Sequence, residues 1–253
     1  MNLFYLIIFF ILGLFMGSFY TVVGTRIPKG DGFITGHSHC ESCLHPLSFL
    51  DMIPVLSYSF LRGKCRYCHQ KFSSLSTWME IFTGILFALS FFVFGFSYQL
   101  FFALGIVSML IILSITDISY MIIPDSVLIF FSGYFLILIA LEQGVIPALI
   151  HIVYGMVLFF VMYLIMLLGN YIFKKESLGG GDIKMMFVFG LLLSPVLGIL
   201  CIFLGSVLAL PMSFLLVLKK NEHIIPFGPF LLIALTFLYF LQINTSMILE
   251  LFP

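Results

Sequence analysis

Charge is what this sequence has least of. Eleven basic and eleven acidic residues make up 9% of its 253 positions, where a soluble globular domain carries about a quarter. With 62% hydrophobic residues and a mean hydropathy of +1.23, that scarcity excludes an ordinary water-soluble fold. The two signs cancel and no basic tail is present, so nothing in the charge pattern points to nucleic acid. No positive charge precedes the first apolar stretch, Leu3 to Val23, whereas Arg26 and Lys29 follow it. A secretory signal has the opposite order, so this stretch reads as a retained helix with its N-terminus outside.

What is abundant is long apolar runs. A membrane-crossing helix needs about 20 largely apolar residues. Eight candidates are predicted, at 2–24, 77–96, 99–117, 125–142, 147–170, 183–198, 199–218 and 228–249. The runs 183–198 and 199–218 meet in a short turn, Ser194-Pro195 through Gly198. The expected class is therefore an all-α polytopic membrane protein of about eight helices. Its expected organisation is a first helix over 1–24, a polar loop over 25–76, and a seven-helix membrane domain over 77–253.

The cations test that topology. With the N-terminus outside, Arg26, Lys29, Arg62, Lys64, Arg66, Lys71, Lys174, Lys175, Lys184, Lys219 and Lys220 all fall on, or within two residues of, cytoplasmic segments. The outer turns carry none, as the positive-inside rule requires. A seven-helix chain would strand Lys219 and Lys220 outside.

The polar loop contains Cys40-Glu-Ser-Cys43, a gap of 21 residues, and Cys65-Arg-Tyr-Cys68. Paired CxxC turns suit tetrahedral zinc, each supplying two thiolates, and Cys40, Cys43, Cys65 and Cys68 complete a closed shell that organises the loop without catalysing anything. Two disulfides or a redox dithiol are the alternatives, which a reducing cytosol disfavours. His39, His45 and His69 flank the thiols as surface residues or substitute ligands. Cys201, inside an apolar run, reads as a small packed side chain.

Two acids stand where hydrocarbon makes charge expensive. Asp117 follows the run Leu100 to Ile115, and Asp182 follows Gly179-Gly180-Gly181. The topology puts both at the cytoplasmic edge, at similar depth. Two carboxylates within hydrogen-bonding range share a proton, one activating water while the other polarises a carbonyl. The glycines let the backbone adopt positive φ and approach closely, and they leave room for an extended substrate segment. Lys184 either joins them in holding substrate backbone, lowers a neighbouring aspartate's pKa, or snorkels to the interface. Asp125 is expected to cap the helix it opens. Glu80, near a helix start, is either a dipole-favoured acid or a cofactor-binding group.

With these residues in place, the chain resembles the type IV prepilin peptidases, GxGD intramembrane aspartyl proteases. The matching pieces are Gly17-Ser18-Phe19, Arg26-Ile27-Pro28, both CxxC pairs, Ile53 to Ser57, Glu80, Asp117 to Asp125, Gly179 to Lys184, and Ile225 to Phe230. The resemblance implies a multi-pass bacterial plasma-membrane protease with Asp117 and Asp182 as the catalytic pair. Its partners would be prepilin or pseudopilin precursors, cut after a glycine at the cytoplasmic face to release a new N-terminal Phe or Met. It also implies methylation of the new amine by S-adenosylmethionine, although no glycine-rich strand–turn–helix is present. The chain departs from the family's usual residues at Thr21, Met52 and Ser76-Thr77. The competing readings are a proton- or cation-coupled transporter using the two acids, whose acids would lie near the midplane between related halves, and a catalytically silent scaffold.

Overall fold

The computed structural model describes residues 2–30, 32, 39–40, 42–174, 178–218, 226–243 and 245. Of the positions used above, Lys175, Lys219, Lys220 and Ile225 lie outside the described residues. The described chain contains nine α-helices: α1 (Asn2–Arg26), α2 (Leu56–Phe60), α3 (Leu75–Phe94), α4 (Tyr98–Tyr120), α5 (Asp125–Glu142), α6 (Val145–Phe173), α7 (Gly180–Leu192), α8 (Pro195–Leu218) and α9 (Gly228–Phe240). No strand occurs among the described residues. Six helices are long and apolar enough to cross a membrane: α1, α3, α4, α5, α6 and α8. The short helices α7 and α9 have 13 residues each, about 20 Å at 1.5 Å per residue. Each of the eight expected runs thus carries a helix, six of them of spanning length.

Two expected boundaries move: the α7–α8 turn, and the end of α9, which stops at Phe240 before a turn at Leu241-Gln242 instead of running on to 249. The turn between α7 and α8 falls at Leu193-Ser194, and Gly198 is helical. Pro195 opens α8, where its missing N–H loses no bond, and the Ser194 hydroxyl accepts the Leu197 N–H at 3.4 Å. Gly198 instead lies against the Leu158 side chain of α6, which leaves no room for a Cβ.

The chain divides into two compact units, Met1–Phe96 and Ser97–Pro253. In the first, α1 runs along α3 because both present little at their crossing. A Cβ on Gly13 would meet the Gly84 Cα at 2.7 Å, and one on Gly17 would meet the Glu80 Cα at 2.8 Å. Helix α1 stops where Pro28 enters a 3₁₀ turn, Ile27–Lys29, which Gly30 closes in the left-handed region at φ +74°. The cysteine turns follow, and they share one backbone pattern. Cys40 N–H donates to His45 O and Leu44 N–H to Cys40 O, just as Cys65 N–H donates to Gln70 O and His69 N–H to Cys65 O.

In the second unit α4 is the centre. Of its apolar window 83% is buried, against 17–28% for α5, α6 and α8. A helix apolar on every face belongs inside such a bundle. Around it, helices approach over glycine. A Cβ on Gly190 of α7 would sit 2.5 Å from the Gly155 Cα of α6, and one on Gly105 of α4 would run into the Tyr134 ring of α5. Cys201 is fully buried in α8, as its apolar surroundings require.

Glycine contact predicts two opposite outcomes. Gly190→Leu forces α6 and α7 apart and lowers stability by about 2–3 kcal/mol, in the range of overpacking. Gly133→Ala in α5, where a Cβ meets nothing within 4 Å, leaves stability unchanged or slightly raised. Thermal unfolding in detergent checks both.

Candidate active site

Asp117 lies one turn before the end of α4, whose last turn closes with the Met121 N–H on Asp117 O at 2.9 Å, Met121 taking φ +56°. Asp182 lies in the first turn of α7. Each residue is 7% exposed, and their carboxylates are near enough for the two charges to interact. The structure therefore brings the two acids, 65 positions apart in sequence, into one buried site.

Helix N-termini flank both. Gly228 opens α9, and its N–H donates to Asp117 Oδ2 at 3.1 Å. That N–H is one of the donors a helix leaves unpaired at its start, and its partial positive charge favours a carboxylate. Asp182 gains the same benefit within its own helix, α7. Gly228 had no role in the sequence reading beyond its motif. A Cβ there would stand 2.9 Å from Asp117 Oδ2, so a larger residue would disturb the donor's approach. The local signal is Gly228-Pro229 after Pro226-Phe227, which marks a helix start without saying what it faces.

The triple glycine serves close approach rather than positive φ. None of Gly179, Gly180 and Gly181 takes positive φ. Gly181 is small because Ile123 sits on it, with a Cβ there meeting the Ile123 Cβ at 2.8 Å. A Cβ on Gly179 would come within 3.6 Å of Asp182 Oδ2, and one on Gly180 would meet nothing. The linker Met121 to Pro124 is thereby held against the start of α7.

Lys184 reaches across the same junction. Its Nζ donates to Asp125 Oδ1 at 2.8 Å and Oδ2 at 2.9 Å. Asp125 stands in the first turn of α5, where a carboxylate suits the helix dipole, and its side chain pairs with the lysine. Both side chains are more than half exposed, so the pair contributes at most about 1 kcal/mol. It ties the residues after Asp117 to those after Asp182.

In the other unit, the Sγ atoms of Cys40, Cys43, Cys65 and Cys68 all lie within 4.8 Å of one another, and none is in a disulfide. Tetrahedral zinc with bonds of about 2.3 Å sets ligand sulfurs about 3.8 Å apart, and Cys40 Sγ lies 3.7 Å from Cys68 Sγ. The four residues fit a metal ion. The flanking turn is pinned as well. Arg66 Nε donates to Asp51 Oδ1 at 2.7 Å, and the Ser48 hydroxyl donates to Asp51 Oδ2 at 2.7 Å. Although burial opposes its charge, these Ser48 and Arg66 contacts hold the Asp51 carboxyl below the usual range. His45 stacks near Tyr67, with ring centroids 3.7 Å apart. Glu80, 5% exposed, accepts the Val55 N–H at 2.8 Å and the Ser76 hydroxyl at 3.3 Å.

Comparison with known proteins agrees with both units. Residues 11–94 match the bacterial peptidase A24 N-terminal domain, and residues 104–214 match the type IV leader peptidase family. A Bacillus subtilis protein named prepilin leader peptidase/N-methyltransferase is 36% identical over 188 residues, covering 74% of this chain and 73% of its own. A Vibrio cholerae protein of the same name is 30% identical, covering 93% and 96%. A Myxococcus xanthus protein of that name is 33% identical and covers 76%, with 57% of its own length matched. No solved structure matches. A transporter reading of the two acids finds no support in these matches. With its acids, glycines and cysteine turns all falling inside the matched segments, the chain belongs to the type IV leader peptidase family.

Proposed function

We propose that this chain is an intramembrane aspartyl endopeptidase that removes the short basic leader of type IV prepilin-like precursors and then methylates the new N-terminal amine. The observation that carries the reading is the meeting of Asp117 and Asp182 in one buried site. The relatives' printed name supports the substrate class and the second activity. The positive-inside pattern of the sequence supports a plasma-membrane protein with its N-terminus outside and its acids at the cytoplasmic face.

In this reading the two carboxylates share one proton. The ionised one takes a proton from water as the water attacks the scissile carbonyl, and the protonated one donates to the developing oxyanion. No covalent intermediate forms. The Gly228 N–H holds the Asp117 carboxylate in position, and the exposed Gly179 and Gly180 leave room beside Asp182 for an unwound, extended substrate segment. Lys184 acts through its pair with Asp125, or on substrate backbone when that pair opens. Cys40, Cys43, Cys65 and Cys68 hold zinc with a closed shell, organising the loop rather than the reaction. S-adenosylmethionine supplies the methyl group.

Cleavage of a pilin-like precursor in membranes tests the peptidase. Asp117→Asn and Asp182→Asn should each lower the rate by at least about 100-fold at unchanged protein level, the scale of general acid–base catalysis. Survival of cleavage in either variant would overturn the dyad. The wild-type rate should follow a bell-shaped pH profile, because a pair sharing one proton is active only in its singly protonated form. A flat profile from about pH 4 to 9 would contradict it. Elemental analysis of the purified chain should give close to one zinc per molecule. Cys65→Ser should lose that zinc, and Cys201→Ser should keep it.

A further inference from the structure

The polar loop of the first unit does not stand off from the membrane. The Val55 N–H donates to Glu80 Oε2 at 2.8 Å, and Glu80 lies in the second turn of α3, a helix of spanning length. Val55 turns the chain there at φ +61°, ψ −47°, a conformation that a β-branched residue rarely takes, and α2 starts at the next residue. Helix α2 therefore begins beside a point about 7 Å along α3 from its start, at 1.5 Å per residue. Trp78, between the two, is 67% exposed, and a tryptophan near the end of a spanning helix marks the headgroup level.

The outward face of α2 suits that level. Ser57 and Tyr58 line a cavity together with Glu80. Leu56 and Phe60, four positions apart and so on one face, are 54% and 83% exposed. Leu50 and Met52, in the preceding 3₁₀ turn Phe49–Met52, are exposed as well. Clustered exposed apolar side chains mark a surface that something covers. Cations follow directly. Arg62, Lys64 and Lys71 are exposed, and no ion pair among the described residues involves them. Lys64 and Lys71 also oppose each other across an antiparallel bridge. Like charges so placed repel, and an anion between them relieves the repulsion.

We propose that the face from Leu50 to Lys71 docks on the lipid surface, with Leu56 and Phe60 among the upper acyl chains and Arg62, Lys64 and Lys71 on anionic headgroups. An interfacial helix buries its apolar face in this way, and each cation held near an anionic leaflet favours it about fivefold. A lipid surface meets both demands, whereas a free anion would leave Phe60 in water. The cytoplasmic leaflet follows from the orientation proposed above, and symmetric vesicles make the test independent of it.

The test uses the full-length chain in vesicles. The chain has one tryptophan, so combining Trp78→Phe with Phe60→Trp leaves a single reporter, at position 60. Its emission should be blue-shifted and shielded from iodide. Lipid brominated in its upper acyl chains should quench it, brominated phosphatidylglycerol more strongly than brominated phosphatidylcholine at the same mole fraction. Adding Arg62→Gln, Lys64→Gln and Lys71→Gln should abolish that excess, as should salt near 1 M, where the screening length is about 3 Å. Water-like emission open to iodide would overturn the proposal, as would equal quenching by the two lipids. Blue-shifted emission that neither lipid quenches would assign the patch to a protein contact and overturn it too. Should the reporter variant unfold early in detergent, cross-linking of the wild-type chain with a photoactivatable phosphatidylglycerol decides instead. Label within residues 50–71 is expected, and label found only elsewhere would reject the docking. Precursor cleavage is scored separately, so its failure beside a quenched reporter counts against the peptidase reading alone.

Discussion

A carboxylate withdrawn from water must find donors, and the start of a helix is one of the few places in an apolar bundle with donors to spare. The candidate site depends on that fact. The hydrogen bond from Gly228 to Asp117 brings the beginning of α9 to the end of α4, so α9 starts where the acid is. Asp182 sits in the first turn of α7 for the same electrostatic reason. Two short helices therefore point their positive ends at one pair of acids.

Bringing those ends together requires helices to approach closely, and lipid gives no hydrophobic push between them. Packing must do it. Gly155 against Gly190, and Gly13 and Gly17 against α3, let backbones touch where side chains would hold them off. The same device appears at the site itself. Gly181 accepts the side chain of Ile123, which fixes the chain just after Asp117 against the chain just before Asp182. Close packing and the placement of the two acids are in this respect one property.

Much of this was legible in the sequence. The apolar runs gave eight helices, mostly to within three residues, because length and hydropathy are local. The cysteine pairs were legible because metal geometry demands that spacing. The acids stood out through their setting. What escaped the sequence was set by distant partners. The donor to Asp117 lies 111 positions away, and Lys184 and Asp125 pair across 59; nothing local announces either. The Gly179–Gly181 run suggested positive φ, yet its smallness answers to Ile123, a tertiary neighbour. The α7–α8 boundary shifted because Pro195 begins a helix more readily than it extends a turn, while Gly198 was needed for packing on Leu158. The left-handed Val55 had no sequence signature at all.

The burial of α4 on nearly all its faces has a consequence for how this chain can vary. A helix that faces lipid on one side tolerates almost any apolar residue there, since the hydrocarbon conforms to whatever shape it meets. Helix α4 has no such free side. From Gly105 to Asp117, where every residue is buried, a change of even one methylene meets another side chain, so drift there must be matched by compensating change in α5 or α9. The outer faces of α5, α6 and α8 can diverge independently, while α4 and its partners must change together.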